Sequence, residues 1–282
     1  MSVLRARAPG KVNLCLFVGE PREDGLHPLV SVVQALSLAD ELTLEPAAGD
    51  ADEVVCPGVE GPNLAARALA LYREATGWDA PPQRLSIDKR IPVAAGMGGG
   101  SADAAATLRL AAHAAGRPSP PELAPRLGAD VASLLRPGRV LMTGAGEHVE
   151  PLAAAPLGVL VLPVDAELST PAVYRQADRL GLTRAHAELA QLDALVRVGT
   201  WAPGNDLQDA ARSLCPLIDS ALDAARGAGA DHVLVSGSGP TVVGLFGGAD
   251  GAARAAVAAE GCGWPRAVAA EPVDEAWAAV RG

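Results

Sequence analysis

From Val3 to Val18 apolar and polar side chains alternate loosely, with Pro9-Gly10 interrupting, which predicts two strand segments meeting at a bend. Lys11 and Asn13 stand two apart there, so a strand puts both on one face. A turn-rich stretch from Glu20 to Pro28 precedes an apolar run, Leu29 to Leu36, and Asp40 to Glu45 reads as a further strand. Leu64, Ala68, Leu71 and Tyr72 have helical spacing within Asn63 to Ala75, and Gly77 ends that helix. In Arg84 to Ile91, Leu85 and Ile87 alternate with charges. This strand leads into a glycine turn, Gly96 to Gly100, and then a helix from Ser101 to near Ala115, stopped by Gly116 and Pro118.

Pro121 to Leu135 predicts one or two short helices broken near Gly128, with Asp130 in the first turn of the second. Strand patterns follow at Arg139 to Thr143 and Val159 to Pro163. Helices are predicted at Pro171 to Leu180, Ala185 to Val198, Asp206 to Gly227 and Gly251 to Glu260, with strands at His232 to Ser236 and Thr241 to Phe246. A strand-rich first half and a mixed second half predict an α+β protein of two lobes, residues 1–155 and 156–282, divided in the stretch Pro151 to Pro163. There is no internal repeat.

Composition narrows the chemistry. Of 282 residues 49% are hydrophobic, ample for a buried core. A net charge of −10, with no block of like charges, weighs against nucleic acid as a partner. An anionic ligand must therefore be met locally, by backbone N–H groups and a few placed cations. Cys15, Cys56, Cys215 and Cys262 are scattered without a C-x-x-C pair and read as reduced core residues. The first residues lack the apolar stretch of a secretory signal, and the longest nearly apolar run, Pro151 to Val164, is too short to cross a bilayer, so a cytoplasmic protein without a membrane partner is expected. Only Lys11 and Lys89 among the 23 basic residues are lysines. Codon bias accounts for most of that, but a compact ammonium serves purposes a planar guanidinium cannot.

The strongest local signal is I-P-V-A-A-G-M-G-G-G-S-A-D-A-A-A-T, Ile91 to Thr107. Gly96, Gly98, Gly99 and Gly100 allow positive φ and close approach of backbone to a ligand, and the N–H groups opening the next helix favour an anion. A plain strand-to-helix connection would not need four glycines in five positions followed by a face of alanines. The segment is no Walker A loop, because no lysine follows the glycines, and the third glycine of G-x-G-x-x-G would fall on Ser101. That missing glycine also disfavours a dehydrogenase-like dinucleotide binder.

This segment resembles the second motif of the GHMP kinases, a family of small-molecule kinases. A-P-G-K-V-N-L, Ala8 to Leu14, is similar to the family's first motif, and V-S-G-S-G-P-T, Val235 to Thr241, to its third. R-E-D-G-L-H-P-L (Arg22 to Leu29), L-G-A-D-V (Leu127 to Val131), L-S-T-P-A-V-Y (Leu168 to Tyr174) and G-N-D-L (Gly204 to Leu207) further resemble one branch. Its members phosphorylate the 2-hydroxyl of 4-diphosphocytidyl-2-C-methyl-D-erythritol in the non-mevalonate isoprenoid route.

The resemblance implies a two-lobed GHMP kinase fold, with a ribosomal-protein-S5-like βαβ arrangement in the N-terminal lobe and an α/β sandwich in the C-terminal one. It also implies ATP and Mg²⁺ as cofactors, a small cytidine-diphosphate-linked substrate and a monomer or weak homodimer. Its phosphate segment falls on Pro92, Val93, Ala94, Ala95, Gly96, Met97, Gly98, Gly99, Gly100, Ser101 and Ala102, with Ser101 the candidate metal residue. Asp130 by itself reads as a first-turn helix acid. The resemblance makes it the catalytic base, with Lys11 beside it to stabilise charge in transfer. Asn13, His27, Thr170 and Tyr174 are implied to contact the substrate, His27 and Tyr174 at the cytosine. Leu26 stands where the family has a tyrosine on the other face of that base, and Pro28-Leu29 and Ala132-Ser133 are further departures. Two other readings remain open on the residues: a GHMP kinase for a different small alcohol, and a nucleotide-binding homologue without catalysis.

Overall fold

The computed structural model describes residues 3–92 and 96–282. Eleven strands among them form two sheets, with helices packed against both. The chain opens with two long antiparallel strands, β1 (Leu4–Val18) and β2 (Leu29–Pro46), which pair along almost their whole length. The predicted bend at Pro9-Gly10 is a register shift inside one strand. The predicted break between Leu36 and Asp40 is likewise absent, although the ladder with β1 shifts register there; the returning end of the chain meets β2 instead, at Glu271 and Pro272.

On its other edge β2 pairs with β4 (Gln83–Asp88) at one end and β5 (Arg139–Thr143) at the other. Between β2 and β4 in the chain come β3 (Glu53–Val55), parallel to β4, and helix α1 (Leu64–Thr76). Helix α2 (Gly99–Ala115) follows β4 and is buried nearly all round. Its alanines Ala102, Ala104, Ala105 and Ala111 are fully buried, and side chains that small let its backbone lie close to neighbouring elements. Next come α3 (Leu123–Leu127), α4 (Ala129–Leu135) and β6 (His148–Pro151), which pairs with β5.

The second sheet starts with β7 (Leu157–Leu162) and has the order β11-β7-β10-β9, all antiparallel. Helices α5 (Thr170–Leu180) and α6 (His186–Arg197) follow β7. The two-residue strand β8 (Gly204–Asn205) then returns to pair with β1 in the first sheet. The single helix predicted from Asp206 to Gly227 is two helices, α7 (Gln208–Leu214) and α8 (Leu217–Gly227). Pro216, which has no N–H to donate, separates them. Strands β9 (His232–Val235) and β10 (Val242–Gly247), helix α9 (Gly251–Gly261) and β11 (Val268–Ala270) complete the sheet. A second core, including Leu160, Leu162, Val173, Leu222 and Phe246, fills this half. The end of the chain crosses back, with bridges from Pro272 to Leu36 and from Arg281 to Arg5. The architecture is α+β with two lobes.

Candidate active site

Two irregularities in the β1–β2 ladder, at Pro9/Lys11 and Asn13/Cys15, bracket the segment Lys11 to Asn13. Such bulges re-aim side chains. Lys11 and Asn13 share a face, and the buried Lys11 ammonium donates to Asn13 Oδ1 at 3.0 Å. The Asn13 amide donates in turn to Ser31 Oγ at 2.8 Å, and that hydroxyl donates to the Cys15 carbonyl at 2.6 Å. Every polar group in this chain of bonds is satisfied, so the ammonium has one place to be.

The glycine turn lies over Lys11. Lys11 N–H donates to the Met97 carbonyl at 2.9 Å. Gly98 has φ +68°, and a Cβ there would sit 3.2 Å from Lys11 Cγ and 3.7 Å from Asp130 Oδ2. Gly96 has φ +73°, and a Cβ there would come within 2.4 Å of the Gly239 carbonyl oxygen. At Gly237, with φ +59°, a Cβ would stand 3.2 Å from Asn13 Oδ1 and 3.5 Å from Lys11 Nζ. Gly98 and Gly237, from two distant segments, thus close on Lys11 with little room for a side chain, and Gly96 closes on Gly239 with none. In α2 the Ala102 N–H bonds the Gly98 carbonyl at 2.8 Å. The N–H groups of Gly99, Gly100 and Ser101 precede that bond and form the positive end of the helix.

Asp130, in the first turn of α4, completes the centre. Its Oδ2 lies 3.4 Å from Lys11 Nζ, with about a third of its side chain open to solvent. The carboxylate thus faces a cation and remains accessible to a ligand.

Two cavities meet at the turn, and both are lined by Gly96, Gly98 and Ser101. The larger, about 770 Å³, is lined by Lys11, Asn13, Leu26, His27, Asp130, Thr170 and Tyr174 together with Gly237 and Ser238. At its far end the rings of His27 and Tyr174 lie 5.2 Å apart and tilted. His27 Nδ1 donates to the Gly19 carbonyl at 2.8 Å, which fixes the ring, and Nε2 stands 3.4 Å from Asp178. Burial, reinforced by the negative charge of Asp130, pushes the Tyr174 hydroxyl up to about 12, so it stays protonated at neutral pH. Thr170 Oγ1 bonds Ser238 Oγ at 2.9 Å. The smaller cavity, about 360 Å³, is lined by Cys56, Asn63, Leu64, Lys89, Pro92, Met97 and Asp103 besides the turn.

The residues singled out in the sequence are therefore drawn to one place with few exceptions. Val93, Ala94 and Ala95 fall outside the described residues. Ala102 is fully buried in α2 and lines neither cavity. Leu26 is on the cavity rim and 52% exposed, so it covers little of what binds there. Sequence reasoning noted Lys89 only as one of two lysines, and gave no site role to it, to Asn63 or Asp103 at the smaller cavity, or to Arg175 and Asp178 at the larger. Thr170, Tyr174 and Asp178 follow helical i, i+4, i+8 spacing on α5, and that signal was available. Among the described residues no group of three or more His, Cys, Asp or Glu could hold a metal ion. The oxygens of Ser101 and Asp130 in the larger cavity suit a Mg²⁺ carried chiefly by phosphate oxygens, which takes only one or two protein ligands.

A strand, a glycine-rich helix start suited to an anion, and a lysine–aspartate pair in the larger of two adjoining cavities are the parts of a small-molecule phosphotransferase. Residues 63–136 match the family model of the GHMP kinase N terminal domain and residues 184–262 that of the GHMP kinase C terminal domain. The chain belongs to the GHMP kinase family and, as in that family, uses ATP.

Among individual relatives, the chain is 41% identical to the 4-diphosphocytidyl-2-C-methyl-D-erythritol kinase of Nocardioides sp., over 94% of its own length and 95% of that protein. It is 44% identical to the enzyme of the same name from Streptomyces coelicolor, over 83% and 85% of the two chains. A crystal structure of 4-(cytidine 5'-diphospho)-2C-methyl-D-erythritol kinase superposes with a TM-score of 0.77 at 37% identity, covering 95% of this chain and 98% of that one. No described helix is long and apolar enough to cross a membrane.

Proposed function

We propose that this protein transfers the γ-phosphoryl group of ATP to the 2-hydroxyl of 4-diphosphocytidyl-2-C-methyl-D-erythritol, a step of the non-mevalonate isoprenoid route. The observation that carries the assignment is the Lys11–Asp130 pair in the larger cavity, beside the glycine turn that this cavity shares with the smaller one. The nucleoside of ATP enters the smaller cavity and its phosphates cross the start of α2, where N–H groups and the helix dipole meet them. The acceptor occupies the larger cavity, with its cytosine against the Tyr174 ring and within reach of His27, and its erythritol end near Asn13 and Thr170.

Asp130 accepts the proton of the attacking hydroxyl, and the Lys11 ammonium stabilises the charge that develops as the phosphoryl group moves. Phosphoryl transfer asks chiefly for in-line placement and charge neutralisation, and rigid positioning by these elements supplies the first. Ser101 or Asp130 would hold Mg²⁺, which would supply neutralisation of phosphate charge. The two lobes divide at residues 155 and 156, and the protein works in the cytoplasm as a monomer or weak homodimer.

The test is turnover of the cytidyl substrate with ATP, following ADP and the mass of the phosphorylated product. Wild type should form both, and Lys11→Ala and Asp130→Ala should form neither at a comparable rate. Equal rates in all three proteins would remove the assigned site. Phosphorylation of another alcohol, with none of the cytidyl compound, would replace the substrate.

A further inference from the structure

A buried charge cluster beneath the turn takes no part in the transfer just described. Lys89, just past the end of β4, donates from its ammonium to Asp40 on β2 and, at 2.8 Å, to Asp103 on α2. Asp40 is fully buried, and its Oδ1 also accepts the backbone N–H groups of Arg90 at 2.6 Å and Ile91 at 2.8 Å. Asp103 is buried in the second turn of α2, and its Oδ1 has no partner among the described residues. A Cβ on Gly99 would lie 3.3 Å from Lys89 Nζ and 3.3 Å from Ile91 Cγ2, so the first residue of α2 rests on the ammonium and on Ile91.

One ammonium therefore joins the chain entering the turn, the strand behind it and the helix leaving it. Cations of this kind are costly to bury unless paired, and each carboxylate here is buried too. Burial raises the Asp103 carboxyl well above the usual carboxylate range, against the pull of Lys89. Without the lysine, two buried acids would face each other across the base of the turn.

We propose that Lys89 is a positioning residue for the nucleotide: through Asp40 and Asp103 it holds both ends of the phosphate turn, so that the N–H groups opening α2 converge on the phosphates. The proposal rests on the kinase reading above. It assigns the cluster a role in ATP binding distinct from that of Lys11, which lines the other cavity. Lys89 also lines the smaller cavity, so direct contact with the nucleotide is the competing explanation. Asp103→Asn separates the two, because it weakens the clamp, leaves the ammonium in place and keeps a side chain of the same size where Asp103 lines that cavity.

The experiment compares wild type, Lys89→Gln and Asp103→Asn by steady-state kinetics, by calorimetric titration with a non-hydrolysable ATP analogue, and by urea unfolding. Both variants should raise KM for ATP and Kd for the analogue about tenfold, the scale of one lost charged hydrogen bond. KM for the cytidyl acceptor should stay within about twofold, since its cavity is elsewhere. Unchanged ATP affinity in folded Asp103→Asn would overturn the proposal, with a loss in Lys89→Gln alone indicating direct contact. Parallel changes in both KM values would overturn it as well, showing general loosening. Should Lys89→Gln fail to fold, Asp103→Asn decides alone. Calorimetry reads the clamp even if wild type fails to phosphorylate the cytidyl acceptor, so the two readings fail separately.

Discussion

The Lys11 ammonium stands 3.4 Å from Asp130 Oδ2 and 3.0 Å from Asn13 Oδ1, bringing the first strand of the chain against a helix start more than a hundred residues later. If the pair acts as a unit, its members should not contribute independently. Asp130→Asn is expected to lower kcat by about 10² to 10⁴, the usual range for a lost general base. Adding Lys11→Met should cost much less than the product of the two single losses. A double-variant cycle measures this, and strict multiplicativity would contradict the unit.

Gly96→Ala should disable the turn. The new methyl would need a left-handed backbone costing about 1–2 kcal/mol and would strike the Gly239 carbonyl. The loops of residues 96–100 and 237–239 must then separate. ATP analogue affinity should fall at least about tenfold, while urea unfolding changes modestly. Wild-type affinity in the variant would show that this contact is dispensable.

Leu26→Tyr tests an exposed position on the rim of the larger cavity. An aromatic ring there can stack where leucine cannot, a gain of about 0.5–1.5 kcal/mol, or roughly two- to tenfold in KM for the cytidyl substrate. KM for ATP should not move. An unchanged acceptor KM would place the base out of reach of residue 26.

Arg175→Gln addresses the acceptor's diphosphate. Arg175 follows Tyr174 on α5 and lines the larger cavity with it, and it has no ion-pair partner among the described residues. Removing its charge should weaken inhibition by cytidine diphosphate by several fold, about 1 kcal/mol for a partly exposed pair, and leave inhibition by cytidine unchanged. Equal effects on both inhibitors would argue against a phosphate contact.

Arg109 on α2 is a cost to stability rather than a support. Its Nη2 donates to the Arg7 carbonyl at 2.7 Å, but Nε and Nη1 are shut off from solvent without partners, and burial pulls the guanidinium down to about 10. A base whose folded pKa is depressed binds protons better when unfolded. Its penalty is therefore complete below about pH 10 and is relieved only as pH rises above that. Arg109→Met should stabilise the protein by about 1–2 kcal/mol in urea unfolding, by equal amounts between about pH 6 and 9. Destabilisation would show that the Arg7 contact outweighs the buried charge.

The longer elements were legible because their apolar spacing repeats over several residues, as in α1, α2 and α5. Strands β3, β6, β8 and β11, two to four residues each, were not. A segment that short has no period to read and exists only because a neighbour offers it a ladder. The same holds for the uninterrupted β2, whose middle is met by the returning end of the chain at Glu271 and Pro272.

At the site, the sequence alone settled what is local: a glycine turn opening a helix, Lys11 and Asn13 on one strand face, and Asp130 in a first helical turn. These follow from φ freedom, from side-chain alternation and from helix-start chemistry within a few residues. Tertiary structure alone decided that Gly96 touches Gly239, that Lys11 faces Asp130, and that Lys89 reaches both Asp40 and Asp103. Nothing in the spacing of those residues encodes their meeting. It arises because burying the sheet and α2 in one core leaves a single arrangement in which these charged and glycine-rich segments can converge.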